Sequence, residues 1–276
     1  MKAIYKQIND YLDYCKYTRG MTKTTISSKR SVYRLFVKDS KCKDLRQLTN
    51  DDFNKWSKKC LKRGVSIHSV NDYNSKILAM LRYYRELGIN MPIKLPLIQP
   101  IKEPKVKRVF YSREQIEEVL DVADNRARLM IEIAFDTGLR LFELTDLKIQ
   151  DFCDRRIDIL GKGRKRDEVY ITLSTKRDLE KFVREEKIVD YLWVNEFGWH
   201  MSSSSVRACM DKPFFEAGYE DFHPHALRHS FATDLQLKGA SIEEIQQMMR
   251  HSNFATTQRY MHGFEGQKAK LFDKYH

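Results

Sequence analysis

INMPIKLPLIQPIKEPKVKR, residues 89–108, holds Pro92, Pro96, Pro100 and Pro104, four of the six prolines in the chain. Proline lacks a backbone N–H and fixes φ, so one at every fourth residue leaves this stretch few helix-compatible windows. It reads as a linker over 89–109. The chain is therefore expected to hold one module over 1–88 and a second from 110 onward.

Working outward from the linker, the N-terminal segments around 2–16, 24–37, 50–62 and 67–87 place apolar residues at helical intervals. Val70, Tyr73, Ile77, Met80, Leu81 and Tyr84 are an example. Asn50 or Asp51 is positioned to cap the third helix, and Ser66 or Ser69 the fourth. The result is a four-helix module studded with Lys23, Lys29, Arg30, Arg34, Lys38, Lys58, Lys59, Lys62 and Arg63.

Charge is distributed unevenly along the chain. The net formal charge is +12, yet residues 1–100 hold 21 Lys and Arg against 8 Asp and Glu, a local +13, and the remainder is close to neutral. A solvated surface mixes both signs, so a one-sided excess points to a polyanion, nucleic acid being the commonest. Plain solubility charge is the alternative. The five cysteines (Cys15, Cys42, Cys60, Cys153, Cys209) are far apart with no CxxC pair, which argues against a metal knuckle or a disulfide framework. The N-terminus lacks an apolar signal region, and no run approaches the ~18 apolar residues of a membrane span. A cytoplasmic protein with no membrane association is expected.

Past the linker, Ser112 stands three residues before Gln115, the spacing of a capping box, and opens a helix. NRARLMIEIAFDTG is an apolar helix ending at Gly138, a residue that tolerates positive φ. RRIDIL (155–160), GKGRKR and EVYITL (168–173) read as strand, glycine-rich turn and strand. Helices follow around 175–187, 202–216, 225–237 and 241–249. Ser241 and Glu244 form a second capping box, and Gly239 ends the helix before it.

In HPHALRHSFATDL, residues 223–235, Leu227, Phe231 and Leu235 make one buried stripe, while His225 and Arg228 share another face near the helix start. There the dipole and free N–H groups favour an anion. Taken alone, the helix reads equally as a core element with an incidental surface His and Arg. A zinc reading of His225 and His229 wants a glutamate at 226, where Ala stands. Three other places add to the pocket. TGLRLFEL supplies Arg140 after a glycine turn, GKGRKR supplies Lys162 at a hairpin tip, and TTQRYMH supplies the Tyr260 phenol. Two guanidinium forks could hold the non-bridging oxygens of a phosphodiester.

TGLRLFELTDL, GKGRKR, HALRHSFATDL and MMRHSNFATTQRYMH resemble, in order and spacing, the successive boxes of the tyrosine recombinase family, most of all its short Xer-type and integrase members. The boxes cover 137–262. The resemblance implies a fold that is mainly α with a small antiparallel β-sheet. It assigns 1–88 to a four-helix core-binding (SAM-like) DNA-binding domain and 110–262 to an α+β catalytic domain. It makes 263–276 a tail that could dock on a neighbouring protomer, a frayed terminus or a tail folded back in cis being the alternatives.

It also implies cleavage and rejoining of double-stranded DNA through a 3′-phosphotyrosyl intermediate, by a homo-tetramer on two DNA sites. Bond energy is conserved in that chemistry, so neither a nucleotide cofactor nor a metal is expected. By this resemblance Tyr260 is the nucleophile and Arg140 and Arg228 clamp the phosphate. Lys162 protonates the leaving 5′-oxygen, His225 assists proton transfer at the tyrosine, and His251 hydrogen-bonds the phosphate. Glu143, three residues after Arg140, could orient that arginine or stand as a solvated helix glutamate, and Arg164, Lys165 and Arg166 are expected to meet the DNA backbone, a solvated turn being the alternative.

Two features qualify the likeness. Arg250 stands where the family commonly has glycine, which could alter the turn that aims His251 or add a contact. The chain also opens directly on its first helix, so the likeness leans toward simple recombinases without an arm-binding domain. A type IB topoisomerase-like enzyme that relaxes supercoils, or a DNA-binding relative without catalysis, would share much of the pattern. A nuclease would want paired acidic metal ligands, which the sequence does not offer.

Overall fold

A computed structural model describes residues 3–103, 109–160 and 166–250. The chain divides into two compact units, residues 1–106 and 107–276, each with its own apolar core.

The first unit consists of α1 (Ala3–Asp13), α2 (Lys23–Ser40), α3 (Asn50–Lys62) and α4 (Ile67–Glu86). α1 widens into a π-helical turn at Tyr14–Thr18, which sets Tyr14 against Tyr83 with ring centroids 4.5 Å apart. Ile4, Leu12, Phe36, Phe53, Trp56, Ile77 and Leu81 are fully or almost fully buried. Burying Trp56 traps its indole N–H, which Asn74 Oδ1 satisfies at 3.0 Å.

The caps refine the sequence reading. α3 is capped by Thr49 in a box with Asp52, not by Asn50 or Asp51, while Ser66 caps α4. Asn50 is instead used on the proline-rich segment, where its amide exchanges two hydrogen bonds with the main chain of Lys94. That segment is a strap on the first unit, with Met91, Ile93 and Leu95 buried and the Ile101 main chain held by Asn71.

Lys23, Arg30, Arg34, Lys38, Lys58 and Lys62 are exposed. Lys29 is not a surface charge: it is buried, with its ammonium 5.5 Å from the centroid of the Tyr11 ring. Lys59 and Arg63 are both engaged by the buried carboxylate of Asp39.

In the second unit, α5 (Arg113–Val122) starts on the Ser112–Gln115 capping box. The central α6 (Asn125–Thr137) is packed by α8 (Leu173–Glu185), α9 (Ser203–Glu216) and α10 (Pro224–Leu237). Surrounded in this way, α6 buries Leu129, Met130, Ile131, Ile133 and Ala134, which together reach all sides of the helix. A one-turn helix α7 (Leu141–Thr145) follows it, and α11 (Ile242–Met248) starts on the Ser241–Glu244 box.

The sheet has three antiparallel strands in the order β1 (Phe152–Cys153), β2 (Arg156–Leu160), β3 (Arg166–Tyr170). β2 and β3 pair in the register Ile157↔Val169 and Ile159↔Asp167, which turns Ile157, Ile159 and Val169 to the core. The two-residue β1 is too short to show an alternating pattern, and the sequence did not disclose it.

Candidate active site

The site is built around the end of α6. Gly138 closes that helix in the left-handed conformation, with φ +59° and its N–H on the Ala134 carbonyl at 3.0 Å. No side chain fits there: a Cβ would lie 2.5 Å from Cδ1 of Phe231 on α10. The chain then turns directly into α7, with Arg140 at the position preceding its first turn. The far end of α7 is fixed as well, since Trp193 Nε1 donates to the Leu144 carbonyl at 2.7 Å and His200 Nε2 lies 3.0 Å from the Thr145 carbonyl oxygen.

Glu143 organises this corner. Its carboxylate accepts the Arg140 backbone N–H at Oε2 and the Arg140 Nη1 at Oε1, both at 2.9 Å. Oε2 also accepts from Arg250 Nη2 at 2.9 Å. The Glu143 and Arg250 side chains are 1% and 6% exposed, whereas that of Arg140 is 30% exposed. Burial pushes the Glu143 carboxyl up, but the Arg140 backbone N–H and the Arg250 and Arg140 charges outweigh it and hold the group below the usual carboxylate range.

Arg250 holds its place in an unfavourable backbone state, with φ +53°. A non-glycine residue there costs about 1–2 kcal/mol. A charge-assisted hydrogen bond is worth about 1.5–3 kcal/mol, enough to offset that cost.

α10 contributes the second part of the site. Pro224 occupies its first turn, where the missing N–H is not needed, and Ser230 Oγ pins the helix by accepting from the Tyr111 N–H at 2.7 Å. Arg228 is 2% exposed. Its Nη1 and Nη2 donate to the carbonyls of Gly138 and Met249, so its charge sits at the C-terminal ends of α6 and α11, where the helix dipoles are negative. The expectation of an incidental surface arginine is thereby excluded. The open fork of the sequence reading is also corrected: two of the five N–H donors are engaged by main chain.

His225, three residues earlier, remains exposed. Partial burial of the ring, then the charges of Arg228, His223 and Arg140, hold its imidazole below the ordinary value of 6.5. The same influences show that Arg140, His225 and Arg228 share one electrostatic neighbourhood. The His229 ring lies 6.2 Å from that of His225 at 28°. Among the described residues no three His, Cys, Asp or Glu side chains cluster closely enough to hold a metal ion.

Lys162, Arg164 and Lys165, as well as His251 and Tyr260, lie outside the described residues. The strands that flank Lys162 end at Leu160 and Arg166. A cleft of about 1000 Å³ runs from Phe142 and Glu143 to Leu160 and Arg166 at that end of the sheet. Among the described residues its wall carries Asp146, Asp151, Asp158, Asp167 and Glu168 together with Lys148 and Arg166, so acidic side chains outnumber basic ones there.

Comparison with known proteins gives a consistent result. Residues 110–266 match the phage integrase family. The chain is 32% identical over 221 residues to the tyrosine recombinase XerC of Staphylococcus aureus, covering 74% of this chain and 73% of that one. It is 27% identical over 290 residues to the tyrosine recombinase XerD of Oceanobacillus iheyensis, covering 98% and 97%. The fold resembles the crystal structure of XerH site-specific recombinase bound to its palindromic difH substrate, with TM-score 0.75, 23% identity, and 95% and 82% of the two chains covered.

Proposed function

This chain belongs to the phage integrase family and is a site-specific tyrosine recombinase, and from that premise we propose how its residues cut and rejoin double-stranded DNA. The phenol of Tyr260 attacks the scissile phosphorus, forming a 3′-phosphotyrosyl bond as the bond to the 5′-oxygen breaks. A phenol with a pKa of ~10 is a poor nucleophile at neutral pH, so its proton must be taken as the bond forms. His225, whose imidazole is held below its ordinary value by partial burial and then by the neighbouring charges, takes part in that transfer. Lys162 supplies the proton to the leaving 5′-oxygen. A 5′-hydroxyl of the partner strand then reverses the step.

Negative charge grows on the non-bridging oxygens during attack, and Arg140, Arg228 and His251 stabilise it. The single observation that carries this reading is the gathering of Arg140, His225 and Arg228 where α6, α7, α10 and α11 meet. Arg140, held to Glu143 through one guanidinium nitrogen, keeps a partly exposed side chain for the phosphate. Arg228 acts from beneath the site through its buried charge, anchored on the carbonyls of Gly138 and Met249.

Residues 1–88 serve as the module that meets the DNA backbone with the excess positive charge, residues 110–262 as the catalytic domain, and residues 263–276 as the segment that joins protomers in a tetramer on two sites. No helix among the described residues is long and apolar enough to cross a membrane, and a cytoplasmic location is proposed.

The test is a trap for the covalent intermediate. Nicked duplexes tiling the source replicon are incubated with the protein in EDTA and resolved on denaturing gels. An adduct formed by the unaltered protein and lost in Tyr260→Phe is expected, and recombinant products from two labelled duplexes distinguish recombination from supercoil relaxation. DNA binding with no adduct on any duplex in the tiling would overturn the catalytic assignment.

A further inference from the structure

We infer that Arg250 is a positioning residue for Arg140, acting through Glu143 so that the Arg140 guanidinium stays free to meet the scissile phosphate; the inference rests on the recombinase reading of this site.

The argument starts from the two oxygens of one carboxylate. Oε1 of Glu143 takes Arg140 Nη1, and Oε2 takes the Arg140 backbone N–H together with Arg250 Nη2. Arginine and carboxylate prefer to meet side by side through two parallel hydrogen bonds. Without Arg250, Oε2 would be open to a second bond from the Arg140 fork, and that clasp would use up the N–H groups a phosphate needs. With Arg250 seated on Oε2, Arg140 is held by a single guanidinium nitrogen.

Burial and charge point the same way. The Glu143–Arg250 contact lies beneath the surface while Arg140 is partly exposed, so the support is shielded from water and the supported group is not. Two guanidinium groups around one carboxylate leave the corner with net positive charge, whereas Arg140 and Glu143 alone would cancel.

The backbone adds a third observation. Arg250 keeps a large side chain at φ +53°, a conformation that glycine adopts freely, and turns it inward to Glu143. Its Nε is buried without a hydrogen-bond partner among the described residues, so the side chain is not seated there for its own satisfaction. The carbonyl of the preceding Met249 accepts from Arg228, and one turn therefore serves both arginines of the proposed clamp.

The experiment uses the full chain and the nicked duplex on which the unaltered protein forms its Tyr260 adduct. Single-turnover adduct formation is compared for Arg250→Gly, Arg250→Lys and the unaltered protein. Each is measured on the phosphodiester and on a methylphosphonate, in which a methyl group replaces one non-bridging oxygen and removes its charge. Arg250→Gly relaxes the backbone and deletes the guanidinium. On the phosphodiester it is expected to slow adduct formation about tenfold to a hundredfold, with DNA affinity within about twofold. On the methylphosphonate, where little charge remains for Arg140 to stabilise, the gap should shrink to less than about threefold, and Arg250→Lys should restore part of the rate.

An unchanged rate for Arg250→Gly, or an equal loss on both substrates, overturns the inference and leaves the recombinase reading standing. If Arg250→Gly lacks a cooperative melt, Arg250→Lys carries the comparison, with a smaller loss confined to the phosphodiester expected and an equal loss on both substrates again overturning the inference. Failure of the unaltered protein to form any adduct overturns the reading of the site and the inference with it.

Discussion

His225 shows what a single residue gains from its surroundings. Partial burial and the neighbouring Arg228, His223 and Arg140 favour its neutral form, so its folded pKa lies below 6.5. If it accepts the tyrosine proton, the rate of adduct formation should hold as pH falls through 6.5 and decline only below it. A His225→Asn variant should lose that acid limb along with much of the rate. The linkage to stability has a definite sign. The unfolded chain takes up a proton near 6.5 and the folded chain does so only at lower pH, so this group lowers stability as pH falls through that window. The pairing of His225 with Arg228 was legible in the sequence because a three-residue interval places both on one side of a helix start. The burial of Arg228 was not legible, because its partners, the carbonyls of Gly138 and Met249, are 90 and 21 residues away.

Among the elements, the junction of α6, α7 and α10 is the least tolerant. Gly138 needs a positive φ, leaves no room for a Cβ beside Phe231, and offers its carbonyl to Arg228. Gly138→Ala is expected to destabilise the protein by about 2–4 kcal/mol, from left-handed strain and overpacking together, as read from denaturant midpoints. Adduct formation should fall further than stability explains, because both Arg140 and Arg228 are placed from this turn. A destabilisation below about 0.5 kcal/mol, within the range of an ordinary surface change, would show that Phe231 yields easily. Capping boxes and helix-ending glycines made most helix boundaries readable, since their signals are local. The N-cap of α3 was misread because Asn50 is drawn off to the Lys94 main chain, a tertiary bond no local rule anticipates.

For the whole molecule the governing quantity is the +13 of the first hundred residues. Lys23, Arg30, Arg34, Lys38, Lys58 and Lys62 are exposed and can release counterions from DNA, whereas Lys29 is buried and Lys59 and Arg63 are partly neutralised by Asp39. With some six or more phosphates contacted, affinity for DNA should fall about a thousandfold or more between 50 and 200 mM salt. Replacing Lys58 and Lys62 with Glu should flatten that slope, whereas Lys59→Glu should disturb the Asp39 cluster and lower stability as well. A slope that stays the same after both changes would remove α3 from the DNA-facing surface. The sequence by itself determined the two-unit division, the helical first unit, the mixed second one, and the order of the family's boxes. All of these follow from proline spacing, periodicity and short motifs that act over a few residues. Only the tertiary structure decided that Arg228 braces the ends of two helices and that Arg250 shares Glu143 with Arg140, because buried charges are positioned by partners that the chain brings together only when it folds.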